Sequence, residues 1–369
     1  MESIVLDYLG GLADGFVDPK KRVFVGYLFA ALAIAFLFTL GAAGWNLRAG
    51  ALDGRRLIFS RAIWWSASAR ADYKMFALNQ ALMMVIAPRL VGRMAVATAL
   101  FSGLHTLVGG RPDAALTLPG WLVVASFTLC HFLCDDLSKY LVHRALHRWP
   151  MLWAFHKVHH SATTLTPLTV YRTHPMEAVL FSLRGTAVQA SVVAVFIFFF
   201  GSAVDLFTVL GASVFLFAFN AAGSNLRHSH VRIGYGRRVE RLLMSPAQHQ
   251  IHHSVEERHH DKNFGTVLAL WDWLGGTLYL AEKGQELRYG PTAGETREMN
   301  GLAALYLRPV LEAGQIVRNG AAAAVDALAH RPASNPQSNG GHISESPLRK
   351  VGTCRVRHRA LLTARATRW

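Results

Sequence analysis

The sequence predicts an all-α fold: an integral membrane helical bundle of about four to five spans, with a cytoplasmic helical cap that carries a histidine-rich dimetal site. Three observations lead there. Of 369 residues, 52% are apolar and only 17% are charged, against about 25% charged in soluble domains. Mean hydropathy is +0.24, and the apolar residues fall in runs long enough to cross ~30 Å of hydrocarbon. Histidines gather at helical spacing in three short groups: His143 and His147, then His156, His159 and His160, then His249, His252 and His253.

Residues 1–22 form an amphipathic lead-in that closes on Lys20, Lys21 and Arg22. No basic stretch precedes an apolar core there, so this segment does not read as a cleaved leader. Residues 23–44 are uncharged and of spanning length. Residues 45–74 are arginine-rich and read as a loop or surface helix. The run 75–108 admits two readings, an interfacial helix followed by a short span or one kinked span, because Arg89 and Arg93 interrupt it. A turn at 109–117 leads to an apolar helix over 118–142 that runs straight into His143.

Residues 176–200 and 203–222 are apolar runs split by Gly201, Ser202 and Asp205, which predicts a helical hairpin. Arg184 lies inside the first run and moves its apolar part toward Ala187. Two crossings return the chain to the side it left, so His156–His174 and His228–His260 share a face. Residues 264–280 contain Asp272 and two glycines and read as a segment packed at the interface. The domain reading is a membrane-embedded catalytic domain over 23–282, a helical extension over 283–330 and a disordered basic tail over 331–369. His330, His342 and His358 lie in or beside that tail and are not expected to bind metal.

The net charge is +15. Nothing resembles a nucleic-acid module, so the basic residues are assigned to loops held at an anionic leaflet. The histidine side of the membrane carries Arg144, Arg148, Lys157, Arg227 and Arg241, whereas the opposite loops carry one arginine between them. The positive-inside rule then places the histidines in the cytoplasm. Cys130, Cys134 and Cys354 show no metal or disulfide spacing.

Residues three and four apart share a helical face. Each histidine group therefore aims its rings at one point, and Pro150 separates the first two groups onto two helices meeting at a corner. Asp136, Tyr140, His143 and His147 lie on one stripe. A carboxylate this deep in an apolar segment needs a partner, and the expected one is the N–H of a metal-bound imidazole. The alternative is an ordinary ion pair, for example with Lys139. Thirteen of the eighteen histidines fall between 143 and 260. A single structural zinc needs four ligands and usually recruits cysteine. Two six-coordinate ions with room for oxygen take about eight to ten protein ligands, which points to a dinuclear iron centre. Beside a membrane, its natural work is to activate O2 against a lipid C–H bond. The electrons must come from outside, because no glycine-rich nucleotide fingerprint is present.

The motifs DLSKYLVHRALH, LWAFHKVHHS, TVYRTHPME, SPAQHQIHHS and DKNFGTVLALWDWLGGTLY, within residues 60–282, resemble the fatty acid hydroxylase/sterol desaturase superfamily, in its general bacterial branch. Members are integral membrane di-iron oxygenases, among them sterol desaturases, methylsterol oxidases, fatty acid hydroxylases and alkylglycerol monooxygenase. The resemblance implies that His143, His147, His156, His159, His160, His249, His252 and His253 bind metal. His228 matches a further family histidine, and His174 and His259 are weaker matches. Asp136, Tyr140, His230, Asp261 and Asn263 are placed behind the ligands. Gly275 stands where relatives often carry phenylalanine.

It also implies two non-haem Fe ions, O2 as co-substrate, a lipid substrate that is sterol-like or fatty-acyl, and residence in a bacterial inner membrane. The external electron donor would be a ferredoxin, a cytochrome b5-type protein or a reductase. Hydroxylation is favoured over desaturation. The competing reading is a membrane metal transporter or sensor, which requires histidines and carboxylates at mid-membrane.

Overall fold

Prolines and polar caps set the helix boundaries. The computed structural model describes residues 2–110, 118–201, 205–209, 212–282, 284–291 and 299–329; the expected tail at 331–369, with its histidines, lies outside them. Helix α1 (Glu2–Val17) precedes α2 (Val25–Ala42), which carries no charge. Asn46 caps α3 (Leu47–Ile58) by accepting from the Ala49 amide at 3.0 Å. After the short α4 (Arg61–Trp64), Ser66 does the same for α5 (Ala67–Ile86), accepting from Ala69. Then come α6 (Arg93–Val108), α7 (Gly120–Arg148), α8 (Pro150–His160) and α9 (Pro175–Phe200). A minimal hairpin of β1 (Thr208–Val209) and β2 (Ala212–Ser213) leads into α10 (Val214–Ala221). The rest comprises α11 (Pro246–His252), α12 (Leu270–Gly275) and α13 (Leu302–Ala329).

The described residues are all-α apart from that hairpin. Among the described residues, four helical stretches are long and apolar enough to cross a membrane: α2, the stretch Ala67–Val108, α7 and α9. The second of these is two helices and not one kinked span. Pro88 lacks an N–H and sits in a 3-10 turn over Ala87–Arg89, where the helix stops. The two halves have different partners. On α5, the Asn79 side-chain amide donates to the Tyr171 and Thr173 carbonyls at 3.2 and 2.9 Å. On α6, Phe101 and His105 pack edge-on against Phe198 of α9.

Helices α7 and α9 run antiparallel and form the frame. Phe127 meets Phe196 near one end. Toward the other end, Asp135 binds Lys139 at 2.6 Å and Arg184 at 2.9 Å, so the arginine inside the apolar run is neutralised in place.

The helical hairpin expected over 176–222 is corrected in its second limb. Gly201, at φ 71°, ends α9. Among the described residues that follow, 205–209 and 212–213 are not helical, and the eight residues of α10 are. Extended chain advances about 3.3 Å per residue against 1.5 Å in a helix, so fewer residues suffice for the return. The Phe207 amide, which a helix would have satisfied, donates instead to the Thr128 hydroxyl at 3.0 Å.

A second frame ties the polar side together. Arg172 is fully buried. It reaches Asp72 on α5 at 3.0 Å, the Val158 carbonyl and Ser161 hydroxyl at the end of α8 at 3.1 and 3.0 Å, and the Met299 carbonyl before α13 at 3.0 Å. The Thr169 hydroxyl donates to the other Asp72 oxygen at 2.6 Å. Removing one partner of such a pair strands a buried charge, at a cost of about 3–5 kcal/mol. Arg172→Met and Asp72→Leu are each expected to lower the thermal unfolding temperature in detergent. The double variant is expected to recover part of the loss. A double variant as unstable as the sum of the singles would show that the two charges do not compensate each other.

Candidate metal centre

The last two turns of α7 carry His143 and His147. Trp149 then leaves the helical region and Pro150 restarts the chain as α8, as expected of a proline at the first helical position. His156, His159 and His160 follow. A 3-10 turn over Ser224–His228 delivers His228 from the far side of the bundle. His249 and His252 come from α11 and His253 from the residue that caps its end; the start of α11 is fixed by a capping box. The Ser245 hydroxyl accepts from the Gln248 amide at 3.2 Å, and the Gln248 side chain accepts from the Ser245 amide at 2.9 Å. Gln250 reaches the Leu226, Ser229 and Val231 carbonyls at 3.0, 2.9 and 2.9 Å, which clamps α11 to the turn bearing His228.

The nine rings fall into two groups. His143, His147, His156, His160 and His252 form one; His159, His228, His249 and His253 form the other. Within each group the candidate ligand nitrogens all lie within 4.8 Å of one another. The closest approaches are Nε2 to Nε2: 3.1 Å for His143–His156, 3.2 Å for His159–His228 and 3.0 Å for His228–His249.

At two of the rings the Nε2 lone pair is turned inward by the bond that Nδ1 makes. His143 Nδ1 donates to the Phe264 carbonyl at 2.8 Å, so a neutral His143 ring has a bare lone pair on Nε2. His252 Nδ1 donates to the Lys262 carbonyl at 2.7 Å, with the same result. His156 Nδ1 is 3.1 Å from a Glu177 oxygen, within ion-pair reach though bent away from hydrogen-bond geometry. The Nε2 atoms of His147, His160, His252 and His253 are buried with no partner among the described residues. Two nitrogens bound at ~2.1 Å and at right angles to one cation lie ~3.0 Å apart. The spacing and the orphaned lone pairs both fit a cation in each group.

Burial holds the rings in the form that binds metal. The His156, His160, His228, His249, His252 and His253 rings are pushed well below the usual imidazole range, first by desolvation and then by neighbouring imidazoles. For His159 the value is about 3.

The loop 261–264 supplies the carbonyls that orient two of the rings. Asp261 and Asn263 both sit in the left-handed region at φ 57°, which turns the Lys262 carbonyl between them toward His252. Asp and Asn tolerate that region better than other side chains. Asn263 also spans Gln248 and Tyr279, donating to both carbonyls at 3.0 Å. Asp261 lies 3.7 Å from His147 Nδ1 but is largely exposed.

Several expected positions are corrected. Asp136 does not face an imidazole; it accepts from the Val267 and Leu268 amides and from Trp271 Nε1 at 3.0, 2.9 and 3.0 Å. It acts one step further back, by holding the loop whose Phe264 carbonyl orients His143. Asp272 holds the same loop through the Phe264 and Gly265 amides at 2.8 and 2.7 Å. Tyr140 meets Thr277 at 3.3 Å and touches no ligand ring. His174 caps α9, accepting from the Met176 amide at 3.2 Å, with its other nitrogen on the Tyr306 carbonyl at 3.1 Å. His259 pairs with Gln285 at 2.7 Å, and His230 with the Leu57 carbonyl at 2.6 Å. All three histidines stand outside both groups. At Gly275 a Cβ would fall 1.9 Å from the Tyr140 hydroxyl, which explains the missing phenylalanine.

Sequence reasoning missed Glu177 and Gln250. Glu177 lies in the THPME stretch and Gln250 inside HQIHH, so both were adjacent to features already singled out. A cavity of about 550 Å³ opens onto the centre, lined by His147, His160, His252 and His253 together with Trp153 and Met299.

Residues 128–277 match the fatty acid hydroxylase family, an interval that contains all nine rings. The chain is 31% identical over 175 residues to very-long-chain aldehyde decarbonylase GL1-1 of Oryza sativa, covering 44% of this chain and 25% of that protein. It is 28% identical over 162 residues to human alkylglycerol monooxygenase, covering 44% and 32%. It is 26% identical over 144 residues to ornithine lipid hydroxylase OlsE of Rhizobium tropici, covering 39% of each. The chain thus spans between 25% and 39% of the length of these relatives. No solved structure matches it.

Two outcomes are expected. Glu177→Leu removes the carboxylate beside His156 and is expected to weaken divalent-metal binding about 10–100-fold; unchanged affinity by titration would dismiss its role. The second concerns acid. As pH falls below about 6.5 the unfolded chain protonates its histidines, whereas these buried rings stay neutral to far lower pH. The unfolded state then binds more protons and stability falls. Chelator-treated protein is expected to melt at a lower temperature at about pH 5.5 than at about pH 7.5. A flat or opposite trend would contradict the neutral-ring assignment.

Proposed function

This chain belongs to the fatty acid hydroxylase/sterol desaturase superfamily, and from that premise we propose that it is an O2-dependent di-iron enzyme that hydroxylates, or desaturates, a C–H bond of a membrane lipid. One observation carries the reading: two adjacent clusters of neutral, inward-facing imidazoles at the polar end of a bundle of apolar helices.

His143, His147, His156, His160 and His252 would hold one iron, and His159, His228, His249 and His253 the other. Bound there, the iron pair supplies reductive activation of O2 toward an unactivated C–H bond. The chain's own residues do the rest. The Phe264 and Lys262 carbonyls fix the His143 and His252 rings with Nε2 facing inward. Glu177 stands behind the His156 ring, 3.1 Å from its Nδ1. The buried rings and the apolar bundle keep bulk water from the centre. The cavity at His147, His160, His252 and His253 gives the substrate a path to the ions.

An oxidoreductase of lipids is what the names of the relatives support: an alkylglycerol monooxygenase, an ornithine lipid hydroxylase and a sterol desaturase. Iron in place of another imidazole-loving metal, the external electron donor and the cytoplasmic orientation at an inner membrane are parts of the proposal. The transporter reading is disfavoured by charge. A passage for cations needs acidic or neutral groups, and the cavity below the centre is lined by Arg22, Arg93, Lys139 and Arg184 against the single carboxylate of Asp135.

His156→Ala and His252→Ala are expected to abolish lipid oxidation and to lower bound iron, read by elemental analysis of purified protein and by lipid mass spectrometry of cells. His174→Gln and His259→Gln are expected to retain the full iron content. Wild-type turnover in either alanine variant would remove that histidine from the ligand set. Membrane vesicles that pass metal without consuming O2 would replace the enzyme reading altogether.

A further inference from the structure

Below the metal centre lies a second cavity, of about 580 Å³, between α7, α9, α10 and the segment before α2. It has one wall in common with the centre. Lys139 lies one helical turn before His143, and Arg227 immediately precedes His228. Its lining is unusual for a cavity set into an apolar bundle. Six basic side chains, Lys20, Arg22, Arg93, Lys139, Arg184 and Arg227, meet one carboxylate, Asp135, an excess of five positive charges.

The internal partners run out quickly. Asp135 is taken by Lys139 and Arg184 at 2.6 and 2.9 Å. Arg227 donates to the Ser224 and Thr266 carbonyls at 3.1 and 2.7 Å. Neither Arg22 nor Arg93 makes a hydrogen bond or ion pair among the described residues. Arg184 Nε is buried with no partner. Lys20 and Arg93 stand at the exposed rim, whereas Arg22, Lys139 and Arg184 are half-buried and Arg227 is buried; charge held against an apolar bundle with too few partners is expensive, so this lining calls for an anion.

The remaining walls say what the anion is attached to. Phe181, Leu206, Leu216 and Phe219 offer apolar surface beside the cations, which suits hydrocarbon and not a free ion. A carboxylate brings one charge against the excess of five. A terminal phosphate brings up to two, and its oxygens match the fork of a guanidinium. We propose that this chamber binds the phosphate-bearing head group of a membrane lipid, with the adjoining acyl chain along Phe181 and Phe219. The site stands apart from the proposed oxidation and holds whether or not the bound lipid is the molecule oxidised.

The test uses purified full-length protein in neutral detergent, with lipid binding read by native mass spectrometry and iron read in parallel. The probes are dioleoyl phosphatidic acid, dioleoyl phosphatidylcholine, oleate and inorganic phosphate. Phosphatidic acid is expected to bind saturably and roughly tenfold tighter than phosphatidylcholine or oleate, a difference of about one charge-assisted contact. Arg22→Gln/Arg93→Gln is expected to abolish that preference with iron content unchanged, and Arg22→Lys/Arg93→Lys to restore part of it. Should the glutamine pair fail to fold, Arg93→Gln alone, at an exposed and unbonded position, carries the test with a smaller loss.

Equal binding of phosphatidic acid and phosphatidylcholine, or binding unaffected by the variants, would overturn the site. Tighter binding of oleate would make it a carboxylate site. Full competition by inorganic phosphate at equal concentration would make it a simple anion site. Loss of iron in wild-type preparations that still prefer phosphatidic acid would count against the di-iron reading alone.

Discussion

The arrangement on which everything else rests is a set of imidazole lone pairs pointed at one another in a dry interior. Neutral rings cannot satisfy each other when Nδ1 already donates outward, as His143 does to Phe264 and His252 to Lys262. The inward Nε2 atoms of these two rings are then bare acceptors, and the Nε2 atoms of His147, His160 and His253 beside them are buried with no partner among the described residues. Left alone, this arrangement opposes folding. A cation in each group would make it a staple that joins α7, α8, α11 and the turn at His228. Metal binding and folding would then be coupled, and the surrounding structure can be read as the means of holding the rings ready.

That holding is done from the outside inward. Asp136 and Asp272 fasten the 264–268 loop, the loop's carbonyl fixes His143, and His143 faces the centre. Gln250 joins α11 to the turn of His228, so that His249 and His228 arrive together. The buried Arg172 joins α5, α8 and the segment before α13. None of these groups touches the centre, yet each removes a freedom that would let a ring swing away. A site built on helix ends needs such bracing, because ends fray.

Much of this was legible in the sequence, and the reasons for the rest are specific. Spacing revealed the rings, because i, i+3 and i+4 positions share a helical face. Spacing did not reveal how the rings divide. On α8, His156 and His160 join one group and His159 the other; on α11, His249 and His253 go together and His252 crosses over. In both helices the i, i+4 pair stays on one side and the third ring leans to the other, so each helix serves both groups. That division depends on how the helices face each other, which a one-dimensional pattern does not contain. Asp136 was misassigned for a related reason: its stripe was right, but its partner is a loop folded back from 131 residues away. His174 and His259 have the right chemistry in the wrong place. The return limb after Gly201 read as a helix because hydropathy reports burial in lipid and not backbone shape; the Phe207 amide found a hydroxyl instead of a helical carbonyl.

Charge gives the last link between the centre and the bundle. Neither group of rings contains a carboxylate among the described residues, so nothing in the innermost shell would offset the charge of two cations. The carboxylates stand one atom further out: Glu177 behind His156 at 3.1 Å and Asp261 near His147 at 3.7 Å. A carboxylate behind a ring makes that ring a better donor and spreads positive charge outward without occupying a coordination position. Directly below, Arg22, Lys139 and Arg227 line the neighbouring chamber, so two regions of positive character share one wall. Among the described residues the carboxylates beside these two regions are fewer than the charges they would meet, and anionic lipid head groups at the membrane surface would supply the balance.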